Sequence, residues 1–287
     1  MKIALVQMNS QPDRSANLRQ AEALMRQAVA GRPDLIVLPE HFDWTGGTPS
    51  AKRSAADHVP GGAAYNLVQH FAAQYRVAVH AGSLLEATIT SDLIYNTSVV
   101  FDAQGKEIGA YRKIHLFDIV APDGKIYNES ATVRPGNSLL VYEIGGMKLA
   151  CCICYDLRFS RLFDRLAEDN VDAFILPAAF TQQTGRDHWE VLCRARAIEF
   201  QAYVVACGQC GHYEAPNGER RYMHGHSMVC DPWGKVVAEA GDDIGVLEAE
   251  LDLDRVEAVR RLIPMAAHRV DVRNLDLVRP DGNAAIC

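Results

Sequence analysis

Three polar residues stand at the ends of apolar runs, where a side chain can leave the core and reach a crevice. Glu40 closes the run at 35–38, Lys113 follows the run at 107–111, and Cys154 closes the run at 147–153. Strand ends are where reactive side chains converge in α/β sheets. A free thiol, with a pKa near 8.5, is only slightly ionised at neutral pH. A carboxylate within hydrogen-bond reach can take its proton, and an ammonium can hold the negative charge that develops on an attacked carbonyl oxygen. The set supplies a nucleophile, a base and an oxyanion donor. Singly, each residue has a plainer reading: Cys154 as a packing cysteine, Glu40 and Lys113 as solvated charges.

These residues are far apart in sequence, so only the fold can assemble them. Residues 3–8 and 35–38 are short apolar runs fit for buried strands. Between them Leu18, Ala21, Leu24, Met25, Ala28 and Val29 recur at helical spacing, stopped by Gly31 and Pro33. A helix over 63–75 and a strand over 77–84 follow. Residues 96–101 with 107–111, and 139–144 with 147–153, read as hairpins across Asp102-Ala103-Gln104-Gly105 and Gly145-Gly146. Helices over 161–168 and 187–201 then alternate with strands over 173–176 and 203–208. A ribbon over 228–238, a strand over 247–251 and a helix over 253–263 complete the core. No linker or repeat divides the chain, so we expect one α/β domain with mixed sheets over 1–272 and a C-terminal tail over 273–287.

Composition narrows the function. Lys plus Arg is 29 against 36 for Asp plus Glu, a net charge of −7, which does not suit a nucleic-acid binder. No apolar run approaches the ~18 residues of a membrane span, and the N-terminal run is too short for a signal-peptide core. The expectation is a cytoplasmic protein with no membrane partner. Eight cysteines lie mostly in apolar runs, which argues against a disulfide framework. Cys207-x-x-Cys210 hints at zinc, but on a strand those positions face opposite sides.

The wording around the three residues is more specific. Leu38-Pro39-Glu40, the segment 111–118 (YRKIHLFD) and the segment 153–159 (ICYDLRF) resemble, in order, the three signature segments of the nitrilase, or carbon–nitrogen hydrolase, superfamily. The resemblance runs from Lys2 to Asp271. Phe117-Asp118, residues 180–190 and Asp231-Pro232-Trp233-Gly234 are most similar to its branch of omega-amidases and deaminated-glutathione amidases. Ser160-Arg161 and Phe200 depart from common family wording without touching the three residues.

That resemblance implies a four-layer αββα sandwich and a Glu–Lys–Cys triad: Glu40 as general base, Lys113 as oxyanion stabiliser, Cys154 as nucleophile. It implies that the backbone N–H of Tyr155 completes the oxyanion hole. Glu129, ahead of Pro135-Gly136, matches a supporting carboxylate. Arg158 resembles an arginine that holds a substrate carboxylate, with a structural tie to Asp156 as the alternative, and His188 is expected at the pocket rim. The activity implied is hydrolysis of a small linear amide to acid and ammonia through a thioester, with no metal or organic cofactor. The implied assembly is a homodimer packed through 161–168 and 187–201. The alternatives are an N-carbamoyl amino acid amidohydrolase, a nitrilase, and a catalytically silent binding protein on the same fold.

Overall fold

Alternation along the strands decides the layering. Successive strand side chains point to opposite faces, and in β1 (Lys2–Gln7) both faces are apolar. Ala4 and Val6 join one core cluster with helical residues, whereas Ile3 and Leu5 join another shared with a second sheet. The computed structural model describes residues 1–89, 91–272 and 275–276.

After β1 come α1 (Arg14–Val29), β2 (Leu35–Val37), α2 (Pro49–Ala55), α3 (Gly62–Tyr75), β3 (Ala78–His80), β4 (Leu84–Glu86), β5 (Tyr95–Phe101) and β6 (Glu107–Arg112). A small ribbon, β7 (Asp118–Val120) and β8 (Ile126–Asn128), leads to β9 (Val141–Ile144) and β10 (Met147–Cys151). Then follow α4 (Ser160–Ala167), β11 (Ala173–Ala178), α5 (Gln182–Phe200) and β12 (Tyr203–Gly208). A second ribbon, β13 (His212–Glu214) and β14 (Arg220–Tyr222), precedes β15 (Met228–Cys230), β16 (Val236–Glu239), β17 (Gly245–Glu250), α6 (Leu253–Leu262) and α7 (Met265–His268).

One sheet runs β17-β1-β2-β3-β5-β4, with β6 also paired to β5; the other runs β16-β15-β12-β11-β10-β9. Helices α1 and α3 cover the first sheet through Leu24, Met25, Val68 and Phe71. Helices α4 and α5 cover the second through Phe163, Leu166, Trp189 and Phe200. Ile3, Leu35, Val37, Ile175 and Val205 fill the layer between the sheets. The result is the expected αββα sandwich. No helix among the described residues is long and apolar enough to cross a membrane.

Three expectations need correction. The strand expected over 77–84 splits into β3 and β4 at Gly82, whose φ is +48° and whose added Cβ would lie 2.1 Å from the Pro39 carbonyl oxygen. The chain there must crowd the backbone beside Glu40, and only glycine allows it. Helix α5 begins at Gln182, five residues before the expected start, because Thr181 already takes the N-cap position. Helix α2 was not anticipated; it rests on Thr48, which accepts from Ala51 N at 3.1 Å, with Pro49 opening the helix. The tail expected from Arg273 lies almost wholly outside the described residues. Cys207 packs between the sheets, its thiol donating to the Val6 and Val37 carbonyls at 3.2 and 3.3 Å.

One polar cluster crosses the apolar layer between the sheets. The buried His80 imidazole on β3 meets the Tyr142 hydroxyl on β9 at 2.7 Å and Ser98 Oγ on β5 at 2.8 Å. Burial pulls its pKa down to about 3, so the ring is neutral in the fold. An unfolded histidine binds a proton near pH 6.5, so this residue's share of stability falls as pH drops from about 6.5 toward 3. Tyr142→Phe leaves His80 Nδ1 buried without a partner and should cost about 1–3 kcal/mol, read as a lower urea midpoint at unchanged m-value.

Candidate active site

The three strand-end residues converge at one end of the sandwich. Glu40 follows β2 and is held by its backbone: Gln209 Nε2 donates to its carbonyl at 2.9 Å. Lys113 follows β6, its N–H donating to Asn96 O at 2.9 Å and its carbonyl accepting from Gly136 N at 2.8 Å. An added Cβ on Gly136 would lie 2.1 Å from the Arg112 carbonyl oxygen, so the Pro-Gly element must carry glycine to pack beside Lys113. Cys154 opens a 3₁₀ turn, Cys154–Arg158, with φ at +48°. A non-glycine residue rarely adopts that conformation unless its surroundings enforce it.

The enforcing group is Asp156, which is fully buried. Its carboxylate accepts from Ile153 N at 2.9 Å, the Tyr111 hydroxyl at 2.6 Å, and both His115 N and Nδ1 at 3.1 and 2.7 Å. The turn bearing Cys154 is thereby tied to the chain on both sides of Lys113. His115 also stacks on Phe159, ring centroids 3.7 Å apart.

Lys113 Nζ donates to Glu40 Oε1 at 2.9 Å and to Glu129 Oε2 at 2.8 Å, all three side chains being largely shielded from water. Glu129 sits on a 3₁₀ turn and also accepts from Phe117 N at 2.7 Å. Asn96 Nδ2 donates to Glu40 at 2.9 Å and reaches Glu129 at 3.3 Å. An ammonium has three protons; two go to the carboxylates and the third has no partner among the described residues.

Charge states follow from burial and neighbours. Burial pushes the Glu40 carboxyl up, but Lys113, His41 and the hydrogen bond from the Cys154 thiol outweigh it and hold it below the usual range. Burial and the Glu40 charge push the Cys154 thiol well above its ordinary pKa, with Lys113 only partly opposing them. Lys113 stays charged because Glu129 and Glu40 more than offset its desolvation. The resting site therefore holds a neutral thiol beside an ionised base. His41, with φ at +59°, is pulled down to about 4 by burial and is neutral at pH 7.

These residues line a cavity of about 370 Å³ with Phe117, Tyr127 and Tyr213 among its walls. Glu40, His41 and Glu129 could offer a metal three ligand atoms within 4.8 Å. The Lys113 ammonium, within 2.9 Å of both carboxylates, already supplies the positive charge there.

The structure thus brings Glu40, Lys113, Cys154 and Glu129 together. Tyr155 follows Cys154, its ring edge-on to Phe117 at 5.1 Å. Arg158 and His188 are placed elsewhere. Arg158 Nη1 lies 3.2 Å from His188 Nδ1 and its guanidinium sits 5.3 Å from the Phe180 ring centroid, outside the cavity lining. Nor is Arg158 tied to Asp156, whose acceptor positions serve Ile153, Tyr111 and His115. Lining or supporting residues that were not anticipated include Asn96, His41, Lys52 and Arg221. Asn96 opens an apolar run rather than closing one, so the signal that marked Glu40 and Cys154 passes over it; Lys52 follows a Thr-Pro helix start; Arg221 carries no sequence signal.

The carbon–nitrogen hydrolase family profile matches residues 2–261. The chain belongs to the carbon–nitrogen hydrolase family. It is 40% identical over 273 residues to a deaminated glutathione amidase of Synechocystis, covering 94% of this chain and 98% of that one. It is 35% identical to the omega-amidase NIT3 of Saccharomyces cerevisiae, covering 94% and 93% of the two chains. The crystal structure of yeast Nit3, a member of branch 10 of the nitrilase superfamily, superposes with a TM-score of 0.81 at 33% identity, over 92% of this chain and 94% of that one. This carbon–nitrogen hydrolase is an amidase, cleaving C–N bonds other than peptide bonds.

Proposed function

We propose that this amidase hydrolyses a small linear, carboxylate-bearing amide through a thioester on Cys154, in the manner of an omega-amidase. The observation that carries the reading is the Lys113 ammonium fixed between two carboxylates in the cavity that Cys154 also lines.

Cys154 Sγ attacks the amide carbon as its proton passes to Glu40. The third Lys113 proton and the Tyr155 N–H bind the oxyanion. As the Lys113 ammonium turns its field to that oxygen, Glu40 becomes more basic, which favours the transfer it must make. Collapse breaks the C–N bond, and Glu40 returns its proton to the leaving nitrogen, giving ammonia and a thioester. Glu40 then takes a proton from water, hydroxide adds to the thioester carbon, and the departing Cys154 sulfur recovers the proton. Glu129 positions Lys113 and shares its charge. No step needs a metal or organic cofactor.

Cys154→Ala should abolish ammonia release from glutaramate while leaving the circular dichroism spectrum unchanged. Lys113→Met should lower kcat by at least ~10²–10³-fold, the usual cost of an oxyanion donor, and Glu40→Gln should block acylation. A Lys113→Met enzyme within threefold of wild type would remove Lys113 from the site, and a folded wild type inert to amide, carbamoyl and nitrile substrates would favour the silent binding protein.

The same reading makes the enzyme a cytoplasmic homodimer packed through α4 and α5. Val191 and Ile198 of α5 are exposed (66% and 49%), as is Trp233 (47%) in the turn that Arg194 holds through Gly234 O. Exposed apolar residues grouped on one face favour an interface. Light scattering should return a mass twice 31.6 kDa; a value of 31.6 kDa at micromolar concentration contradicts it.

A further inference from the structure

Two residues at the strand ends of the site have left-handed backbones, Cys154 at φ +48° and His41 at φ +59°. Asp156 accounts for the first, but nothing in His41 itself accounts for the second. A non-glycine residue is strained there, and the ring gains no compensation. Its Nδ1 is buried without a hydrogen-bond partner, and its Nε2 lies 3.4 Å from Asn96 Nδ2 and 3.8 Å from Glu40 Oε1. Turning over the one peptide between Glu40 and His41 would return His41 to an ordinary negative φ. It would also redirect the backbone from which the Glu40 side chain departs. Some other group must therefore hold that peptide against its own preference.

Both polar groups of the peptide are held, and both by side chains. Its N–H donates to Ser83 Oγ at 2.9 Å, and its carbonyl accepts from Gln209 Nε2 at 2.9 Å. The peptide lies beyond the end of β2, so these two side chains take the place of ladder bonds. They come from different sheets. Ser83, fully buried, lies between β3 and β4 of the first sheet; its N–H donates to Pro39 O at 3.2 Å and its carbonyl accepts from Phe42 N at 3.1 Å. Gln209, also buried, follows β12 of the second sheet. Its N–H donates to Ala178 O at 2.9 Å, and its carbonyl accepts from Gly225 N at 3.0 Å. Its carboxamide closes a ring with Ser10: Oε1 accepts from Ser10 N at 2.9 Å, and Nε2 donates to Ser10 Oγ at 2.8 Å. The Ser10 N–H fixes which end of the amide is oxygen, and an amide nitrogen has two protons to give. The second is left for the Glu40 carbonyl.

We propose that Gln209 and Ser83 are positioning residues for the base: together they hold the Glu40–His41 peptide in its strained orientation and so keep the Glu40 carboxylate on Lys113. Without either one the peptide turns over, His41 relaxes and the carboxylate leaves its place. The second sheet thus supplies the Cys154 turn and also sets the base that serves it. This rests on the reading of Glu40 as the base of a Cys154 amidase.

The test compares wild type with Gln209→Met, Ser83→Ala, the double variant and Tyr142→Phe, which is weakened between the sheets and away from the site. Ammonia release from glutaramate gives kcat and KM, and thermal melting gives Tm. Gln209→Met and Ser83→Ala should each lower kcat about 10- to 100-fold with KM within about threefold, the scale of an ångström's displacement at a reacting group. Because one peptide is at stake, the double variant should lose little more than the worse single one. Tyr142→Phe should melt lower with kcat held. A crystal structure of Gln209→Met should show the peptide turned over, His41 at negative φ and Glu40 Oε1 away from Lys113 Nζ. Gln209→Glu keeps the acceptor for Ser10 N but sets an oxygen against the Glu40 carbonyl; it should show the same loss and replaces Gln209→Met if that variant does not fold. A folded Gln209 or Ser83 variant with kcat within about threefold of wild type would overturn the proposal while leaving the amidase reading intact. So would multiplied losses in the double variant, a Tyr142→Phe loss as large as theirs, or an unturned peptide in the crystal. A folded wild type that releases no ammonia would overturn the amidase reading and the proposal with it.

Discussion

A buried ammonium between two carboxylates is the constraint on which the rest of the site depends. Removing one partner of such a cluster leaves a charge uncompensated in a dry environment, typically at a cost of about 3–5 kcal/mol. The surrounding backbone is arranged to keep all three in place. Asn96 donates to both carboxylates, Phe117 N anchors Glu129, and Gly136 packs against the strand that ends in Lys113. The field of the ammonium keeps Glu40 ionised, and burial keeps the thiol protonated. On the proposed mechanism, that pair of charge states sets a stored proton beside a ready base.

The sandwich makes that arrangement rigid. Glu40 and Lys113 come from the first sheet and Cys154 from the second, so the site exists only while the sheets keep their register across the inner layer. Asp156 couples the two at the point of use, bonding the Cys154 turn to Tyr111 and His115 on either side of Lys113. His80 and Tyr142 add a polar tie deeper in the same layer.

The core strands and most helices were legible in the sequence because each buries both or one of its faces, and the apolar pattern records that directly; the ribbons β7–β8 and β13–β14 were not, because they bury neither face. Glu40, Lys113 and Cys154 stood out as polar ends of such runs, but only the resemblance of the segments around them to the nitrilase superfamily gave them roles, and Glu129 was implied by that resemblance alone. Gly82 broke an expected strand for a reason outside the segment, the Pro39 carbonyl across from it. Helix α2 was overlooked because none of its side chains is fully buried and only Ala55 packs against a core cluster, so it has no apolar period to read. Lys52 and Arg221 gain meaning only from sharing a cavity wall, a tertiary fact without local signature. Arg158 was expected in the site because it resembles an arginine that holds a substrate carboxylate, but the 3₁₀ turn carries it toward His188 and Phe180 instead.

The protonation state of the resting nucleophile is the most direct measure of this account. An infrared spectrum of the substrate-free enzyme at pH 7 should contain an S–H stretching band that disappears in Cys154→Ala and strengthens no further on acidification to pH 6. Absence of that band at pH 7, with the Cys154 sulfur present as thiolate, would mean that Lys113 pairs with the sulfur rather than with the two carboxylates, and would contradict it.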